Sequence, residues 1–536
     1  MSKKKAAEKT LKKDESVINI PYAESEFEKK YSRYFWFIIP ILAVLFYSYR
    51  KIALGFYQDD EVAQYINMLN FWQDPWVILG NGPKPGYKIF MVLPALISYD
   101  AVLICNSLIA AVTVYFTYIL IKSYNVGYAL FGALLLAAQP LYVNLSFRSY
   151  SEIFTALCIV IFLILYRKEK YFLSALILGY IYTIRQETAL LILIFTFIFI
   201  RNKNYYSAAA LFIFPLIYNV LGFIKTGDLF FVITEMKNVA GLNYKSQGLL
   251  HYFKVYIFIV GPVCLSLFLL GFFGFLNDTS KFKDYIKKYG VFYIIFASIF
   301  IVQMLTMIND GPNPGNWRYL LHISPLTAFF AAVGLNNLSL EKFKKTNYLI
   351  TGAFAVLVFL FLSKATDGFI LLEIPEYTKF AFVAAFFVLS IVLWNQSKVK
   401  YLNRLAAALI IISIVYLYFV EPKKLSPENI AVKQTTEFID SLPQLEDKEK
   451  LTNHPFIFFY SIMYKESINS FKKLDLKNLT LAPSGSIIIW ESHYGYRPEF
   501  LNDVQLELLQ DTARYKLIKQ FISSDKRFGS FVFEKL

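Results

Sequence analysis

The stretch Val255–Leu276, VYIFIVGPVCLSLFLLGFFGFL, contains no charged residue. A helix needs about 20 apolar residues to cross about 30 Å of hydrocarbon, so this stretch is long enough to span a membrane. Charge-free runs also occupy Ala189–Ile200 and Leu405–Val420. Hydrophobic residues make up 57% of the 536 residues, and a soluble protein could not bury so many gathered into such runs. The pattern predicts an integral membrane protein.

The apolar runs together predict a mainly α, polytopic membrane protein with about thirteen transmembrane helices. The spans are 34–50, 100–121, 126–143, 150–166, 171–184, 187–200, 206–223, 252–276, 290–308, 319–338, 347–363, 378–394 and 402–420. Residues 1–33 precede them, and because no small-residue cleavage site follows the first run, we expect a cytoplasmic tail rather than a signal peptide.

Lysine and arginine are concentrated in every second connection between the spans, as the positive-inside rule requires. The basic connections include Arg167–Lys170 and Lys281–Lys288, and they share a side with the lysine-rich tail. The longer opposite connections, such as 51–99, 224–251 and 309–318, are less basic and are predicted to be extracytoplasmic. The net charge of +15 therefore reflects orientation and lipid contact, and no nucleic acid is expected.

An odd number of spans places residues 421–536 on the extracytoplasmic side, as a soluble domain. Helical patterns near 429–441 and 499–511 and a strand at Ser486–Trp490 predict a small α/β domain. The domain organisation is then a tail (1–33), a transmembrane domain (34–420) with its first outer loop at 51–99, and this soluble domain. The three cysteines lie in apolar runs, where they indicate neither a disulfide nor a metal site.

The first outer loop carries three adjacent acids, Asp59, Asp60 and Glu61, followed by Tyr65. Neighbouring carboxylates raise one another's pKa, so such a cluster is solvated, bound to a cation, or poised as a base. The loop continues into Lys84 and Tyr87, immediately before the next apolar run.

Three other outer connections set charged side chains at the ends of apolar spans, where charges usually face a protein interior or a wet cavity. They contain Arg148, Tyr150 and Glu152; Arg185 and Glu187; and Arg318 and Tyr319. A structural ion pair or a plain loop remains the alternative for each. Because all these clusters fall on one side, the sequence predicts a single extracytoplasmic site.

These motifs resemble the GT-C superfamily of polytopic glycosyltransferases, of the protein O-mannosyltransferase and aminoarabinose transferase type. The resemblance covers about residues 34–420 and is best over 57–190. It rests on the Asp60–Glu61 pair, the Lys84–Pro85 element with Tyr87, the Arg148, Tyr150 and Glu152 element, and Arg318–Tyr319. Glu152 stands where the family more often has aspartate, and the Asp59–Asp60 doublet leaves the base ambiguous by one residue.

The resemblance implies transfer of a sugar, with inversion, from a polyprenyl-phosphate donor to an acceptor hydroxyl of a glycan, glycolipid or protein. It implies a bacterial cytoplasmic (inner) membrane enzyme, with its site outside the cytoplasm. By this resemblance, Asp60 is the base, with Asp59 as its rival, and Glu61 and Glu152 complete the catalytic set. The donor phosphate is bound by Lys84, Arg148 and Arg318, with Arg185 as a weaker candidate. The substrate is contacted by Tyr65, Tyr87, Tyr150, Glu187 and Tyr319.

The pattern leaves room for a divalent cation between Asp60 and Glu152, but no metal site is assigned because the four histidines are scattered along the chain. Two rival functions remain open. A transporter or flippase would use the same charges to couple ions to a lipid-linked or anionic substrate. A non-catalytic assembly protein would depend on its soluble domain and tolerate replacement of Asp60.

Overall fold

The computed structural model describes residues 26–80, 82, 84–240, 244–277, 279–339, 352, 363–366, 371–379, 381–383, 399–420, 422–445, 447–463, 471–498 and 501–536. Most of the predicted spans 347–363 and 378–394, and most of the tail 1–33, lie outside these residues. Contacts divide the chain into a membrane unit, Met1–Ser48 with Pro75–Glu421, and a C-terminal unit, Tyr49–Asp74 with Pro422–Leu536.

The helices of the described residues are numbered in chain order. They are α1 (Glu26–Tyr31), α2 (Ile38–Tyr49), α3 (Asp60–Asn70), α4 (Pro85–Ile97), α5 (Tyr99–Ser123), α6 (Ala129–Ala137), α7 (Pro140–Leu145), α8 (Glu152–Arg167), α9 (Tyr171–Tyr182), α10 (Ala189–Arg201), α11 (Tyr205–Ala210), α12 (Ile213–Thr226), α13 (Phe231–Ala240), α14 (His251–Val260), α15 (Pro262–Phe272), α16 (Phe282–Leu305), α17 (Ser324–Ser339), α18 (Val399–Phe419), α19 (Pro427–Asp440), α20 (Pro455–Met463), α21 (Leu476–Leu481) and α22 (Leu506–Leu509). Short 3₁₀ helices at Gln186–Thr188 and Trp317–Ile323 matter for the site.

Five helices in the described part of the chain are long and apolar enough to cross a membrane, or six if a bent pair counts as one span. The five are Glu28–Tyr49, Tyr99–Ser123, Tyr205–Thr226, Thr279–Leu305 and Trp317–Asn337. Shorter apolar helices include α4 and α9. The chain is a multi-pass membrane protein, while the figure of thirteen spans stays a prediction.

The run that predicted one span at 252–276 forms two helices, α14 and α15, bent by 114°. The break falls at Gly261, whose φ of +80° favours glycine, and at Pro262, which has no N–H to continue the helical ladder. Hydrophobicity alone could not reveal the bend, because both halves are equally apolar. The pair is either a broken span or a re-entrant loop.

The first outer loop also differs from its prediction, because it contains the apolar helix α4. Side chains such as Phe90 and Ile97 on α4 are exposed, at 56% and 79%. Apolar side chains exposed to this extent on a membrane protein suit contact with lipid. The sequence does not predict this helix as a span, because its 13 residues are too few to cross the membrane.

Close helix packing holds the membrane unit together. The helices α15 and α17 meet at Gly271 and Gly334, where an added Cβ would lie 1.8 Å from the Phe330 oxygen and 2.2 Å from the Leu267 oxygen, respectively. Small residues allow such approach of helix backbones. The 3₁₀ helix Trp317–Ile323, just before α17, packs on α8. This contact brings two distant outer connections side by side.

The C-terminal unit contains a mixed five-stranded sheet in the order β2-β1-β3-β7-β6. Its strands are β1 (Lys450–Thr452), β2 (Phe471–Lys473), β3 (Ile487–Glu491), β6 (Tyr515–Ile522) and β7 (Gly529–Lys535), and β4 (Tyr496–Arg497) pairs with β5 (Asn502–Asp503). The strands β1, β2 and β3 are parallel, whereas β7 runs antiparallel to β3 and β6. Leu451, Ile488 and Phe533 lie in its core.

Two of the three sequence predictions in this unit are confirmed. The helix predicted at 429–441 is α19, and the strand predicted at 486–490 is β3. The helix predicted at 499–511 is wrong, because this segment contains β5 and the four-residue α22. Asn502 there donates to the Tyr494 carbonyl oxygen at 2.8 Å, and a local turn replaces the helix.

Residues 49–74 fold with the C-terminal unit although they belong to the first outer loop. Gly55 donates its N–H to the Lys423 oxygen at 2.7 Å, and a Cβ at Gly55 would lie 2.0 Å from the Lys424 oxygen. The ring of Phe56 lies 4.6 Å from that of Phe456 on α20. The close backbone approach explains the glycine and ties the acidic segment to this unit.

Candidate active site

The membrane unit contains a buried ion cluster centred on Glu152. This residue is the first of α8 and is 0% exposed. Its Oε1 atom accepts hydrogen bonds from Arg185 and from Arg318, the latter at 2.9 Å. The N-terminus of a helix favours a carboxylate, and buried charges persist only when they are paired. Glu152 therefore holds two guanidinium groups in place.

The two arginines come from separate connections that the fold brings to α8. Arg185 lies between α9 and the 3₁₀ helix Gln186–Thr188, and Arg318 lies in the 3₁₀ helix Trp317–Ile323. Their exposures are 4% and 2%. Ion pairs at such burial cost free energy to assemble, and they often specify a functional arrangement rather than add stability.

Two tyrosine rings line the guanidinium groups. The Arg318 Cζ atom lies 4.9 Å from the ring centroid of Tyr150 and 5.2 Å from that of Tyr319. Arg185 Cζ lies 5.3 Å from the Tyr319 ring. Tyr150 is buried and Tyr319 is half-buried. Cation–π contacts restrict the guanidinium orientations, and Tyr319 is the more accessible of the two tyrosines to a ligand.

The charges around Glu152 extend to two further side chains. Arg185 Nη1 also lies 3.5 Å from Glu187 Oε1, and Lys84 is close enough for its ammonium group to act electrostatically on Glu152. Three cations, Arg185, Arg318 and Lys84, thus lie near two carboxylates. A cluster of cations at a partly dry site can bind an anion.

The backbone around Lys84 is fixed by contacts with the end of α9. Lys84 precedes α4 with a left-handed φ of 59°, and Pro85 starts the helix. Gly86 donates its N–H to the Thr183 oxygen at 3.2 Å and accepts from the Tyr180 hydroxyl. A Cβ at Gly86 would lie 2.1 Å from Thr183 Oγ1. This close approach places Lys84 beside the connection that carries Arg185.

Tyr87 and Arg148 are buried and held by neighbours in the membrane unit. The Tyr87 hydroxyl donates to Asn106 Oδ1 at 3.1 Å, and the ring is 0% exposed. Arg148 donates through Nε to the Asn144 carbonyl oxygen at 2.9 Å and lies over the ring of Phe147. These contacts favour a supporting role for Tyr87 and orient the Arg148 guanidinium group.

Sequence reasoning missed His322, which the structure places near the same charges. This histidine is 0% exposed, and neither ring nitrogen has a hydrogen-bond partner among the described residues. Arg185, Glu187, Glu152 and Lys84 all act on it electrostatically. Its position four residues after Arg318 was the available signal, because that spacing can set two side chains on one helical face.

The Gly/Pro-rich loop before Arg318 is folded around Asn313. Its Oδ1 atom accepts from the Tyr252 hydroxyl at 3.1 Å and from the Gly315 N–H at 2.8 Å. Its Nδ2 group donates to Gln303 Oε1 at 2.9 Å. An amide side chain can serve several partners at once, so Asn313 fixes the loop that delivers Arg318.

The three adjacent acids lie in the C-terminal unit and have different surroundings. Asp60 begins α3 and is exposed. Glu61 is 2% exposed, and its carboxylate accepts the Tyr57 N–H at 3.1 Å, which ties the segment before the helix to its first turn. Asp59 is half-buried and accepts from the Tyr494 hydroxyl. Of the three, Asp60 is the acid most accessible to a substrate.

Tyr65, which the sequence placed among the substrate contacts, is buried in the same unit. It is 3% exposed, and its ring packs edge-on against Phe459 at 6.1 Å. Packing of this kind favours a structural role. The predicted residues therefore form two groups, one around Glu152 in the membrane unit and one at the start of α3 in the C-terminal unit.

A protein-family model matches part of the chain. Residues 84–269 match glycosyltransferase family 87, and this segment contains Lys84, Arg148, Glu152 and Arg185. No curated protein matches the chain.

The crystal structure of ArnT from Cupriavidus metallidurans in the apo state shares the fold. Its TM-score is 0.56 at 11% sequence identity, over 94% of this chain and 98% of that chain. The chain is thus similar to a glycosyltransferase family over residues 84–269, and it shares the fold of ArnT over 94% of its length.

Proposed function

We propose that the enzyme transfers a sugar from a polyprenyl-phosphate donor to an acceptor hydroxyl at the extracytoplasmic membrane face. The observation that carries this proposal is the cluster of three cations, Arg185, Arg318 and Lys84, around the buried Glu152. A lipid-linked phosphate at the membrane surface is an anion that such a cluster can bind. The acceptor is a glycan, a glycolipid or a protein, and membrane lipid surrounds the site.

The donor phosphate leaves without a proton and therefore requires positive charge as its bond to the sugar breaks. Lys84, half-buried beside the cluster, is the first candidate to bind it. Arg318 and Arg185 are oriented by Glu152, and a guanidinium group carries five N–H donors in all. Arg148 is the fourth candidate. Charge-assisted hydrogen bonds to phosphate are among the strongest that proteins make.

Asp60 is the proposed general base, and Asp59 is its rival. A base must reach the acceptor hydroxyl, and Asp60 is exposed whereas Asp59 already accepts from Tyr494. This contrast supports Asp60. Base catalysis of this kind typically contributes about 10² to 10⁴ in rate.

The reaction is a single displacement in this proposal. The acceptor oxygen bonds to the anomeric carbon as the bond from that carbon to the phosphate oxygen breaks, and Asp60 takes the hydroxyl proton. Attack from the face opposite the leaving group inverts the anomeric centre. The polyprenyl phosphate departs with both electrons of the broken bond.

A divalent cation is a poor fit at Glu152. Its Oε1 atom already serves two guanidinium groups, and a dication there would repel them. The proposal therefore assigns charge stabilisation to lysine and arginine. Asp60, the other acid of the cation site that the sequence left open, is exposed to solvent.

The deciding experiment incubates purified enzyme in detergent with a panel of polyprenyl-phosphate sugars and measures release of the polyprenyl phosphate. We expect release with one sugar class and an acceptor present, and none with the Asp60→Asn variant. A panel that includes nucleotide sugars tests the donor class. Sugar transfer from a nucleotide sugar alone, with release of the nucleoside phosphate, would overturn the lipid-linked donor.

A further inference from the structure

Within the C-terminal unit, Tyr494 contacts the acidic pair formed by Asp59 and Asp60. The Tyr494 hydroxyl donates to Asp59 Oδ2, although 435 positions separate the two residues. Asp59 stands directly before α3 but does not cap that helix with its own side chain. The carboxylate is therefore directed to Tyr494 rather than to the N–H groups of its own helix.

The turn that carries Tyr494 is fixed from several directions. The buried carboxylate of Glu491 accepts from the Tyr494 N–H through both oxygens, at 2.9 Å each, and from the His493 N–H at 2.7 Å. Asn502 donates to the Tyr494 carbonyl oxygen at 2.8 Å. A Cβ at Gly495 would lie 2.3 Å from the Glu491 carbonyl oxygen, which leaves the turn no space to shift. The hydroxyl of Tyr494 is thus presented by a rigid support.

His493 reinforces the same contact. Its ring stacks on that of Tyr494 at 4.2 Å, and its Nδ1 atom lies 4.0 Å from Asp59 Oδ2. Nδ1 lies 2.6 Å from Glu428 Oε1, which also accepts from His454 Nε2 at 3.1 Å. Burial opposes the charged imidazole, but the hydrogen bond and charge of Glu428, with the charge of Asp59, raise the pKa of His493. When protonated, the ring of His493 stabilises the Asp59 carboxylate beside it.

The protonation of Tyr494 suits this role. Burial and the charge of Asp59 raise the pKa of Tyr494 well above its usual value. The phenol therefore keeps its proton at any physiological pH and remains a hydrogen-bond donor.

Glu428, His454 and His493 are residue types that zinc takes as ligands, and their ligand atoms lie within 4.8 Å of one another. The hydrogen bonds favour another reading. His454 Nδ1 accepts the Phe456 N–H at 3.2 Å, so the neutral ring carries its proton on Nε2, the atom that faces Glu428. A histidine bound to metal usually donates from its other nitrogen. The cluster is therefore best explained as a hydrogen-bonded support for His493.

We propose that Tyr494 and His493 are positioning residues for the acidic pair, holding Asp59 and through it the first turn of α3, from which Asp60 acts. This inference rests on the proposed function, because it assigns the soluble domain a part in the same site. It gives a reason for the contact between Asp59 and Tyr494, which a merely solvated loop would not require. It predicts a slower chemical step with unchanged donor binding.

The test compares Tyr494→Phe with Tyr496→Phe, a matched control because Tyr496 is 46% exposed two residues later. Loss of a hydrogen bond to a charged acceptor should lower kcat about 10- to 100-fold. The donor KM and the melting temperature should stay at the wild-type values, as both should for the control. Undiminished kcat in Tyr494→Phe would overturn the inference.

A double-mutant cycle shows whether Tyr494 acts through Asp59. Asp59→Ala removes the acceptor, so adding Tyr494→Phe to it should cost little more, whereas independent roles would add. His493→Gln, which keeps a donor for Glu428, should be milder than His493→Ala. Additive losses, or equal losses in the two His493 variants, contradict positioning. If Asp60→Asn and Asp59→Asn both keep full activity the proposed function itself fails, whereas a normal Tyr494→Phe beside an inactive Asp60→Asn sinks the positioning role alone.

Discussion

Arg318 donates from Nη1 to Glu152 Oε1 at 2.9 Å, although 166 positions separate the two residues in the chain. Arg185 shares the same oxygen, so one buried carboxylate organises two cations from different connections. The role of Glu152 in the cluster is therefore structural as well as electrostatic, and its removal leaves like charges facing each other.

We expect Glu152→Ala to destabilise the membrane unit by about 3 to 5 kcal/mol, the usual cost of leaving a buried charge without its partner. Transfer activity should fall with it. Glu152→Asp keeps the charge on a shorter side chain and should lose less. Thermal unfolding in detergent measures the effect, with Glu373→Ala as control because that side chain is 99% exposed. Equal melting temperatures for Glu152→Ala and the control would contradict the central role of Glu152.

Gly86→Ala tests how closely α4 must approach the end of α9. The new Cβ would lie 2.1 Å from Thr183 Oγ1, so the helix or the threonine must move, and Lys84 moves with the helix. We expect a loss of about 1 to 3 kcal/mol in stability and a fall in transfer rate. Gly82→Ala is the matched control, because nothing lies within 4 Å of its added Cβ. Similar behaviour of the two variants would show that the contact is unimportant.

Much of the helical framework could be predicted from sequence because apolar length is a local property. The 25-residue α5 follows directly from its run of hydrophobic side chains. The 114° bend at Gly261 could not be predicted, because hydropathy does not distinguish a straight span from a broken one. In the same way α4 was too short to be predicted as a span.

The candidate site was only partly predictable for the same physical reason. Motif order identified Glu152, Arg185 and Arg318 as candidates, but their shared hydrogen bonds depend on long-range packing. The contact of Asp59 with Tyr494 joins residues 435 positions apart and carried no signal in the sequence. The sequence showed His322 only as one of four scattered histidines, and its buried position near the Glu152 cluster depends on the folded structure.

The phosphate-binding hypothesis predicts the effects of Lys84→Ala, Arg148→Ala and Arg318→Ala. Each should lower kcat/KM for a polyprenyl-phosphate donor, since a charge-assisted contact contributes about 1.5 to 3 kcal/mol. Lys84→Ala should do so at nearly wild-type stability, because Lys84 is half-buried, whereas Arg318→Ala should also lower the melting temperature.

Lys203→Ala, in an exposed turn between α10 and α11, serves as the control for these lysine and arginine variants. Steady-state kinetics at varied donor concentration separates binding from turnover. Wild-type kinetics in all three variants would place the phosphate elsewhere.

The membrane orientation is open to a labelling test. Alternation of lysine and arginine predicts a cytoplasmic N-terminus and an extracytoplasmic C-terminal unit. In a background without the three native cysteines, an impermeant thiol reagent applied from outside should label Ser484→Cys and leave Lys203→Cys unlabelled. Both positions are exposed, so access depends on the side of the membrane. The reverse pattern would invert the orientation and move the candidate site to the cytoplasm.

Asp60→Asn is the sharpest test of catalysis. The amide keeps the shape of the side chain but cannot take a proton, so turnover should fall by about 10² to 10⁴ while folding and donor binding persist. Asp59→Asn should be milder, because that residue supports its neighbour and its amide oxygen can still accept from Tyr494.

The alternative for the acidic pair is a solvated loop, and it makes a distinct prediction. Exposed substitutions without special contacts usually change stability by less than about 0.5 kcal/mol and would leave the rate intact. The measurement is the transfer rate at saturating donor for both variants, with thermal unfolding to show that each is folded. A folded Asp60→Asn enzyme with an undiminished rate removes the reason to consider this segment catalytic. A loss confined to Asp59→Asn instead moves the base by one residue, since the carboxylate beside Tyr494 would then be the one that takes the proton.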